Sequence, residues 1–393
     1  MVKKNKSLGR MAFDVLSSFW LCCVCLLALF VLTIYGTIHQ VDHGLYDAKD
    51  VYFHSYFLKW NGIPIFPGGL LCMSVLCINL VLGGFVRIKW ASRNVGVLIV
   101  HVGILVLLIS GMVKIQNSDE GHLQIIETLS KDYFQSSLDW EVAIWEVHDV
   151  DDAQEFVIQD ASFTDLEVGA SRTFTSDSLP FELTLSGFLK NCQVLPVGPN
   201  WQVSGNPVEG YGFLRRPDEK ESEFNIGGLN ASIKTSDGTI QEALLWGNQR
   251  HPWAIAVDGR TFAIDMRPER YPMPYSIRLD DFIKEEHPGI GMAKAYRSKV
   301  TQIDAQGNER PHLIQMNEPL RDGGLVLFQS SYGTTPGGHE YSVFSVVRNP
   351  SDKWPEYSMW VITFGMLLTF GRRLISFIRT QSKRRHMAAG AAQ

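Results

Sequence analysis

The chain lacks charged side chains in four stretches, although 20% of its 393 residues are charged. Residues 16–38, 68–86 and 95–113 have no Asp, Glu, Lys or Arg, and residues 354–371 have only Glu356. A bilayer core about 30 Å thick needs roughly 20 mostly apolar residues in a helix. The pattern therefore predicts four membrane-spanning helices at 16–38, 68–86, 95–113 and 354–375, of which the fourth is the least apolar.

Acidic side chains are nearly absent from three segments that flank these stretches, and this scarcity predicts an orientation. The segments lie before the first span, between the second and third, and after the fourth, and their basic residues are Lys3, Lys4, Lys6, Arg10, Arg87, Lys89, Arg93, Arg372, Arg373, Arg379, Lys383, Arg384 and Arg385. Only Asp14 accompanies them, and basic residues accumulate on the cytoplasmic side of membrane proteins. All of them fall on one side if there are four spans, so both termini are predicted to be cytoplasmic.

The predicted spans divide the chain into five parts. They are a cytoplasmic N-terminus at 1–15, three transmembrane helices within 16–113 with an outer loop at 39–67, an exterior domain at 114–353, a fourth span at 354–375 and a basic cytoplasmic tail at 376–393. Aromatic residues crowd the outer loop, as is typical of segments at the membrane surface. We therefore expect an integral α-helical membrane protein with one large domain on the outer side of the membrane.

Cysteine is almost absent from the exterior domain, since Cys192 is the only one of the six cysteines outside the predicted spans. An internal disulfide in that domain is thereby excluded. The sequence also lacks a zinc-protease H-E-x-x-H, a G-x-S-x-G elbow, a phosphate-binding loop and a dinucleotide fingerprint. These absences predict a chain that is not catalytic alone, and nothing in it indicates nucleic-acid binding.

Long helical periodicity is missing from the exterior domain, where short runs rich in β-branched and aromatic residues alternate with turn signals. The clearest runs are 123–127, 140–147, 181–189, 253–257, 275–283, 325–329 and 341–347. Pairs such as Asp237-Gly238 and Asp258-Gly259 mark turns between such strands. A mostly antiparallel β fold, a sandwich or a barrel, is predicted.

His101 is the ionisable side chain that stands out within the spans. Its position is roughly 9 Å inside the predicted third helix, counted from residue 95 at 1.5 Å per residue. Ionisable residues in a bilayer are costly and usually have a partner or a ligand. A neutral imidazole is a common axial ligand of haem iron, whereas the alternative is a hydrogen bond between helices, for example to Asn79. Position alone does not decide between these two interpretations.

Three histidines, His39, His43 and His54, cluster in the predicted outer loop. They are candidates for a metal ion or an outer haem, with His39 and His43 as the residues that would bind it. The alternative is that they are polar residues at the membrane surface. The other histidines show no metal-ligand spacing, so no metal other than haem iron is predicted.

Several motifs together resemble the ResB family of cytochrome c biogenesis proteins. Those of the first half are Gly36-Thr37-x-x-Gln40, Gly44-Leu45-Tyr46, Tyr52-Phe53-x-Ser55, Pro67-Gly68-Gly69, Asn79-Leu80 and Gly96 with His101-Val102-Gly103. Those of the second half are Asp281-Phe282, Tyr296-x-Ser298, Met316-Asn317-Glu318-Pro319-Leu320, Phe328-Gln329-Ser330-Ser331-Tyr332 and Asn349-Pro350. The resemblance covers roughly residues 10–375, with little recognisable pattern between 130 and 270.

The resemblance implies a function in system II cytochrome c biogenesis at the bacterial cytoplasmic (inner) membrane, with a periplasmic domain. ResB-type proteins pair with a ResC/CcsA-type membrane partner, carry haem across the membrane and present it to apocytochrome c as part of a haem lyase. The family's intramembrane histidine corresponds to His101, the expected axial ligand of a transient, non-covalent haem b shared with the partner. Haem attachment and thiol reduction then belong to other proteins, including a thiol-reducing protein.

Two other functions are compatible with parts of the sequence. One is a membrane-anchored sensor or binding protein whose exterior β domain takes a ligand. The other is a b-type electron-transfer protein. A single intramembrane histidine disfavours electron transfer, because it cannot ligate one haem on both faces. A simple anchor needs one span rather than four.

Overall fold

The structure is a computed structural model that describes residues 7–147, 154–199, 201–289 and 293–390. Residues 1–6 and 391–393 of the two predicted cytoplasmic ends lie outside the described residues. The chain separates into a helical unit, residues 1–118 and 349–393, and a sheet unit, Asp119–Arg348. The boundaries expected from hydropathy were 114 and 353, where the long apolar stretches stop.

The helical unit is built from long apolar helices. Its helices are α1 (Leu8–Leu16), α2 (Phe19–Ala48), α3 (Gly69–Val81), α4 (Val95–Asn117) and α5 (Trp354–Gly390). π-helical turns at Lys49–Phe53 and Leu82–Val86 extend α2 and α3, a 3₁₀ turn at Ser92–Asn94 precedes α4, and β1 (Phe57–Trp60) pairs with β2 (Ile63–Pro67). Within the described residues, four helical stretches are long and apolar enough to cross a membrane: Phe19–Phe53, Gly69–Val86, Ser92–Asn117 and Trp354–Arg384.

The first helical stretch differs from the expected 16–38 at both ends. The helix is interrupted at Ser17–Ser18, where the Ser18 hydroxyl accepts a hydrogen bond from the Leu21 amide at 3.2 Å and caps α2. At the other end α2 continues through polar residues to Ala48, with a kink at Gly44 where φ is +80°. The predicted outer loop, 39–67, is therefore helix and hairpin for most of its length. Hydropathy marks the apolar part of a helix rather than its ends.

Helices α4 and α5 pack antiparallel through small residues spaced seven apart, and the series on the α5 side begins at Ser351, three residues before that helix. The facing pairs are Gly96 with Gly365, Gly103 with Ser358, and Ser110 with Ser351. A Cβ on Gly96 would lie 2.8 Å from the Gly365 carbonyl oxygen, and the Ser351 hydroxyl donates to the Ser110 carbonyl at 2.9 Å. A seven-residue period of small residues lets two helix backbones approach closely along a left-handed crossing.

The sheet unit is antiparallel throughout its described strands. They are β3 (Asp119–Ile126), β4 (Ser130–Glu146), β5 (Glu155–Gln159), β6 (Ser171–Phe174), β7 (Phe181–Leu189), β8 (Cys192–Pro196), β9 (Ser204–Val208), β10 (Tyr211–Arg215), β11 (Gly228–Thr235), β12 (Ile240–Trp246), β13 (Trp253–Val257), β14 (Arg260–Glu286), β15 (Ala293–Asp304), β16 (Glu309–Gln315), β17 (Leu320–Asp322), β18 (Leu325–Thr334) and β19 (Glu340–Arg348). The prediction of a mostly antiparallel β domain is confirmed.

Two large apolar cores organise most of these strands, and a smaller one around Phe213 joins β8 and β10 to β12. A sheet in the order β12-β11-β7-β6 packs with β4, β5, β13 and the first half of β14 around residues such as Phe163, Leu183 and Ile264. The larger sheet runs β16-β15-β14-β4-β3-β19-β18-β17 and curls around Phe134, Leu279 and Phe344, so that β16 lies against β17 and β18. One half of the unit is thus a sandwich, and the other closes on itself like a barrel.

Candidate functional site: the histidines of the helical unit

His101 lies in α4 on the side away from the α5 contact, facing the π-helical turn Leu82–Val86. Its ring is 6.3 Å from the Phe85 ring, edge to face at 63°, and a Cβ on Gly84 would lie 2.9 Å from His101 Nδ1. The side chain is half-buried. Because glycine has no side chain, Gly84 lets the imidazole lie directly against the backbone of the neighbouring helical segment.

The Nδ1 atom of His101 is buried and has no hydrogen-bond partner among the described residues. A buried polar nitrogen without a partner costs free energy, roughly 1–3 kcal/mol in protein interiors. Such atoms are rare in folded proteins and each calls for an explanation. His101 is therefore not explained by a structural hydrogen bond between helices.

Asn79, the alternative partner of His101, is committed elsewhere. Its side-chain amide is buried and donates to the Leu16 carbonyl oxygen at 2.7 Å and to the Ser18 carbonyl oxygen at 2.9 Å. Both carbonyls flank the break between α1 and α2, and Arg87 adds bonds to Ser17 at the same place. Backbone groups freed by a helix break need such partners in an apolar environment. The alternative interpretation, a hydrogen bond between Asn79 and His101, is therefore wrong.

The outer histidines lie at the kink of α2. His39 Nε2 is 2.6 Å from Asp47 Oδ2, across the bend at Gly44. His43 stacks on His39 with ring centroids 4.1 Å apart and planes within 7°, and Tyr52 meets His39 edge-on at 5.3 Å. Two stacked parallel imidazoles do not point their nitrogens at one common ion, so the pair is not a chelate for a single metal.

His54 is separate from this pair in its contacts. Its Nδ1 lies 2.8 Å from Asp50 Oδ1 on the same helical turn, and the His54 side chain is partly exposed whereas that of Asp50 is largely exposed. Among the described residues, no group of three His, Cys, Asp or Glu side chains is arranged to hold a metal ion. The three histidines that cluster in sequence therefore form one stacked pair and one surface ion pair.

Each candidate fits a haem as the donor of one nitrogen. His101 presents a half-buried imidazole with no competing hydrogen bond at Nδ1. In the outer pair, His43 Nδ1 lies 3.3 Å from the His39 carbonyl oxygen, which only accepts hydrogen bonds, so in the neutral ring Nδ1 would carry the proton and Nε2 would be the nitrogen with the lone pair. His43 is exposed, whereas His39 is half-buried and bound to Asp47.

The π-helical turn that faces His101 was not predicted from the sequence. The signal for it is the Gly83-Gly84 pair inside the second apolar stretch, where a glycine costs helix stability without an evident reason. π-helical turns recur at functional sites because they shift the side chains that follow them. Here the turn brings Gly84 and Phe85 onto the imidazole.

The motif residues of the second half of the chain hold the closing strands of the sheet unit together. Ser298 Oγ lies 2.7 Å from both Gln329 Oε1 and Ser342 Oγ, and the Tyr296 hydroxyl donates to the Ser330 carbonyl at 3.1 Å. The Phe282 and Tyr332 rings stack at 4.9 Å. Their contacts are structural, since they join β14 and β15 to β18 and β19.

Comparison with known families supports the resemblance seen in these motifs. The model of the ResB-like family matches residues 246–385, which run from the end of β12 into α5. Over this segment the chain is similar to the ResB-like family, which implies a role in cytochrome c biogenesis. None of the curated proteins compared with the chain matches it. The candidate ligands His39, His43 and His101 all precede the matched segment.

Proposed function

We propose that this chain is one subunit of a membrane complex that carries haem across the membrane and presents it for attachment to apocytochrome c. The observation that carries the proposal is that no structural hydrogen bond accounts for His101, whose buried Nδ1 has no partner among the described residues. Gly84 encloses Nδ1, so Nε2 is the nitrogen that would bind the iron. A haem held this way would supply the group that is later attached to the client cytochrome.

The placement in the membrane is part of the proposal. Four helical stretches are long and apolar enough to span, and the basic residues beside them favour cytoplasmic termini. The sheet unit would then lie on the outer, periplasmic side of a bacterial cytoplasmic membrane. His101 is six residues from the start of α4, so it would sit in the cytoplasmic half of the bilayer. That is where haem coming from the cytoplasm would be met first.

The second axial ligand would come from a partner. Among the described histidines, His101 is the one inside the apolar part of a span, and one imidazole occupies one face of a haem. A ResC/CcsA-type membrane subunit is the partner that we propose, with haem b bound non-covalently between the two chains. This chain would therefore be part of a haem lyase without being catalytic alone.

Thiol chemistry would also belong to other proteins. Cys192, the one cysteine of the sheet unit, is 3% exposed, and burial raises the pKa of its thiol to about 12. At neutral pH Cys192 is therefore protonated and inaccessible. Because thiolate is the reactive form of cysteine, Cys192 is not a reactive thiol. Reduction of the apocytochrome thiols would then need a separate thiol-reducing protein.

For the outer pair, we propose His43 rather than His39 as the residue that receives haem after transport. His43 is exposed and Nε2 would be the lone-pair nitrogen of its neutral form, while Nε2 of His39 is held by Asp47 at 2.6 Å. His39 would position His43 by stacking on it. By holding His39 in place, the Asp47 carboxylate would also fix the angle between the stacked rings of His39 and His43.

The test is the absorbance spectrum of the chain purified with a co-expressed ResC/CcsA-type partner, oxidised and reduced. His101→Ala is expected to remove most of the haem signal, and His101→Gly is expected to regain it when imidazole is added. His54→Ala, which removes a surface ion pair, is the matched control and should keep the signal. A full haem signal in His101→Ala would reject the proposal.

Two further outcomes decide between the alternatives. Loss of signal in His43→Ala with no loss in His101→Ala would move the ligand to the outer pair. No haem in any preparation would favour a membrane-anchored sensor. Protease added from the cytoplasmic side should leave the sheet unit intact, and cleavage there would reject the proposed orientation.

A further inference from the structure

Helix α5 is much longer than a membrane crossing requires. Its 37 residues correspond to about 55 Å, whereas a bilayer core is about 30 Å thick. The apolar part ends near Phe370, and Arg372 and Arg373 follow at once. Beyond Arg373 the same helix continues, but its surface is no longer uniformly apolar.

This continuation has a basic row on one face. Arg372, Arg379 and Lys383 are separated by seven and four residues, or about two turns and one turn, so they line up along the axis. They border a groove of about 500 Å³ together with Ile375, Ser376 and Thr380. The exposed apolar side chains Leu374, Phe377 and Ile378 lie on the opposite face.

The charge of this row is not compensated. Residues 357–393 contain no Asp or Glu, and Glu356 pairs with Lys353 at 3.7 Å. Arg372 donates to the Ser92 carbonyl oxygen, a neutral acceptor at the turn before α4. Among the described residues, none of the three cations of the row has an acidic partner. A row of unpaired cations flanked by hydroxyls matches the chemistry of a phosphate group.

We propose that the groove formed by Arg372, Ile375, Ser376, Arg379, Thr380 and Lys383 binds the phosphate of an anionic phospholipid headgroup. The inference rests on the proposed membrane placement of α5 but not on haem binding by His101. A lipid fits better than a free anion, because the groove starts where the apolar part of the helix stops. The apolar face of the same helix would meet the acyl chains of the surrounding lipids.

The test uses the full-length protein in neutral detergent, with phosphatidylglycerol or phosphatidylcholine added and bound lipid counted by native mass spectrometry. Phosphatidylglycerol is expected to bind more tightly, and Arg379→Gln with Lys383→Gln is expected to weaken it about thirtyfold. We expect each cation that contacts the phosphate to contribute a factor of roughly five through a charge-assisted hydrogen bond, which a cation elsewhere on the helix does not make. Arg373→Gln with Arg384→Gln is the matched control. It removes the same charge about 100° away around the same helix and should weaken binding by a much smaller factor.

Several results would overturn the proposal. Equal losses in the two double variants would show that the helix attracts lipids through its overall charge. Displacement of phosphatidylglycerol by an equal concentration of inorganic phosphate would show a site for free anions. The haem spectrum of the same preparations separates the two proposals. Lost lipid with an unchanged spectrum supports the headgroup site, and a lost spectrum with unchanged lipid binding contradicts it.

Discussion

The helical unit and the sheet unit bury polar groups in different ways. In the sheet unit, Arg267 is 6% exposed and binds Glu141 Oε1 at 2.7 Å and Glu155 Oε1 at 3.0 Å. In the helical unit, buried polar side chains such as Asn79 bind backbone carbonyls. His101 Nδ1 departs from both patterns, since it is buried with no partner among the described residues. The comparison shows that the burial of a polar group is a functional clue only where no structural partner accounts for it.

The largest effect is expected from breaking the buried ion pair of the sheet unit. Arg267→Met would leave Glu141, which is 3% exposed, without its cation. Removing one partner of a buried pair typically costs about 3–5 kcal/mol. Hydrogen exchange of the β4 and β14 amides in the full chain should report this loss, with the helical unit unchanged.

The control for Arg267→Met is Arg172→Met, which removes an exposed pair with Asp165 and should leave the exchange rates as they are. Adding Glu141→Gln to Arg267→Met should restore part of the stability, because the uncompensated charge is gone. The Arg267 hydrogen bond lowers the pKa of Glu155. The contribution of this pair is therefore present above the unfolded-state pKa of a glutamate and is lost as pH falls. No effect of Arg267→Met would contradict the comparison.

An intermediate effect is expected from Asn79→Leu in the helical unit. The change leaves the carbonyls of Leu16 and Ser18 without the amide that they share, at a cost of about 1–3 kcal/mol. Exchange of the α1 and α2 amides should increase, whereas the haem absorbance should stay near that of the unmodified chain. Ser74→Ala is the control on the same helix, because its hydroxyl binds only the Leu70 carbonyl one turn away. A haem loss as large as that of His101→Ala would restore Asn79 as a partner of the histidine.

The smallest effect is a gain in stability from Glu269→Gln. Burial and the neighbouring Asp139 raise the pKa of Glu269, so its ionised form is disfavoured in the folded state. The Tyr271 hydroxyl, 3.3 Å from Glu269 Oε2, can donate to the amide oxygen of glutamine as well. A raised pKa means that the wild type loses stability as pH rises past the unfolded-state value. The variant should therefore exchange more slowly at pH 7 and equally at low pH, while the exposed Glu182→Gln should show neither change. A uniform gain at both pH values would reject this explanation.

Local composition predicted much of the fold. The runs 181–189 and 253–257 coincide with β7 and β13, because apolar runs of strand length with turn residues at both ends favour a strand. Strand β14 was predicted only for 275–283, although it spans Arg260–Glu286. It contains Pro268, Pro272 and Pro274, which cannot donate a backbone hydrogen bond to a neighbouring strand. The structure accommodates them because pairing with β4 shifts register between Pro268 and Arg270 and again after Pro272.

The candidate site was predicted in part. His101 stood out from its sequence alone, because an ionisable residue in an apolar helix is rare. The sequence did not show that Asn79 lies against the break between α1 and α2, about 60 residues earlier in the chain. It did not show the stacking of His39 on His43 either, which depends on the kink at Gly44. These contacts join residues whose neighbours in sequence give no sign of them.

The sequence by itself determined which segments are apolar helices and which are strands, since burial of apolar side chains and backbone periodicity are local properties. It also determined that one histidine lies within an apolar stretch. Only the tertiary structure decided what that histidine meets. Gly365 and Ser358 of α5, with Ser351 just before that helix, pack on one side of α4. Gly84 and Phe85 approach His101 on another side. Tertiary packing decides which side chains from distant parts of the chain reach each buried polar atom. This packing leaves Nδ1 of His101 without a partner among the described residues.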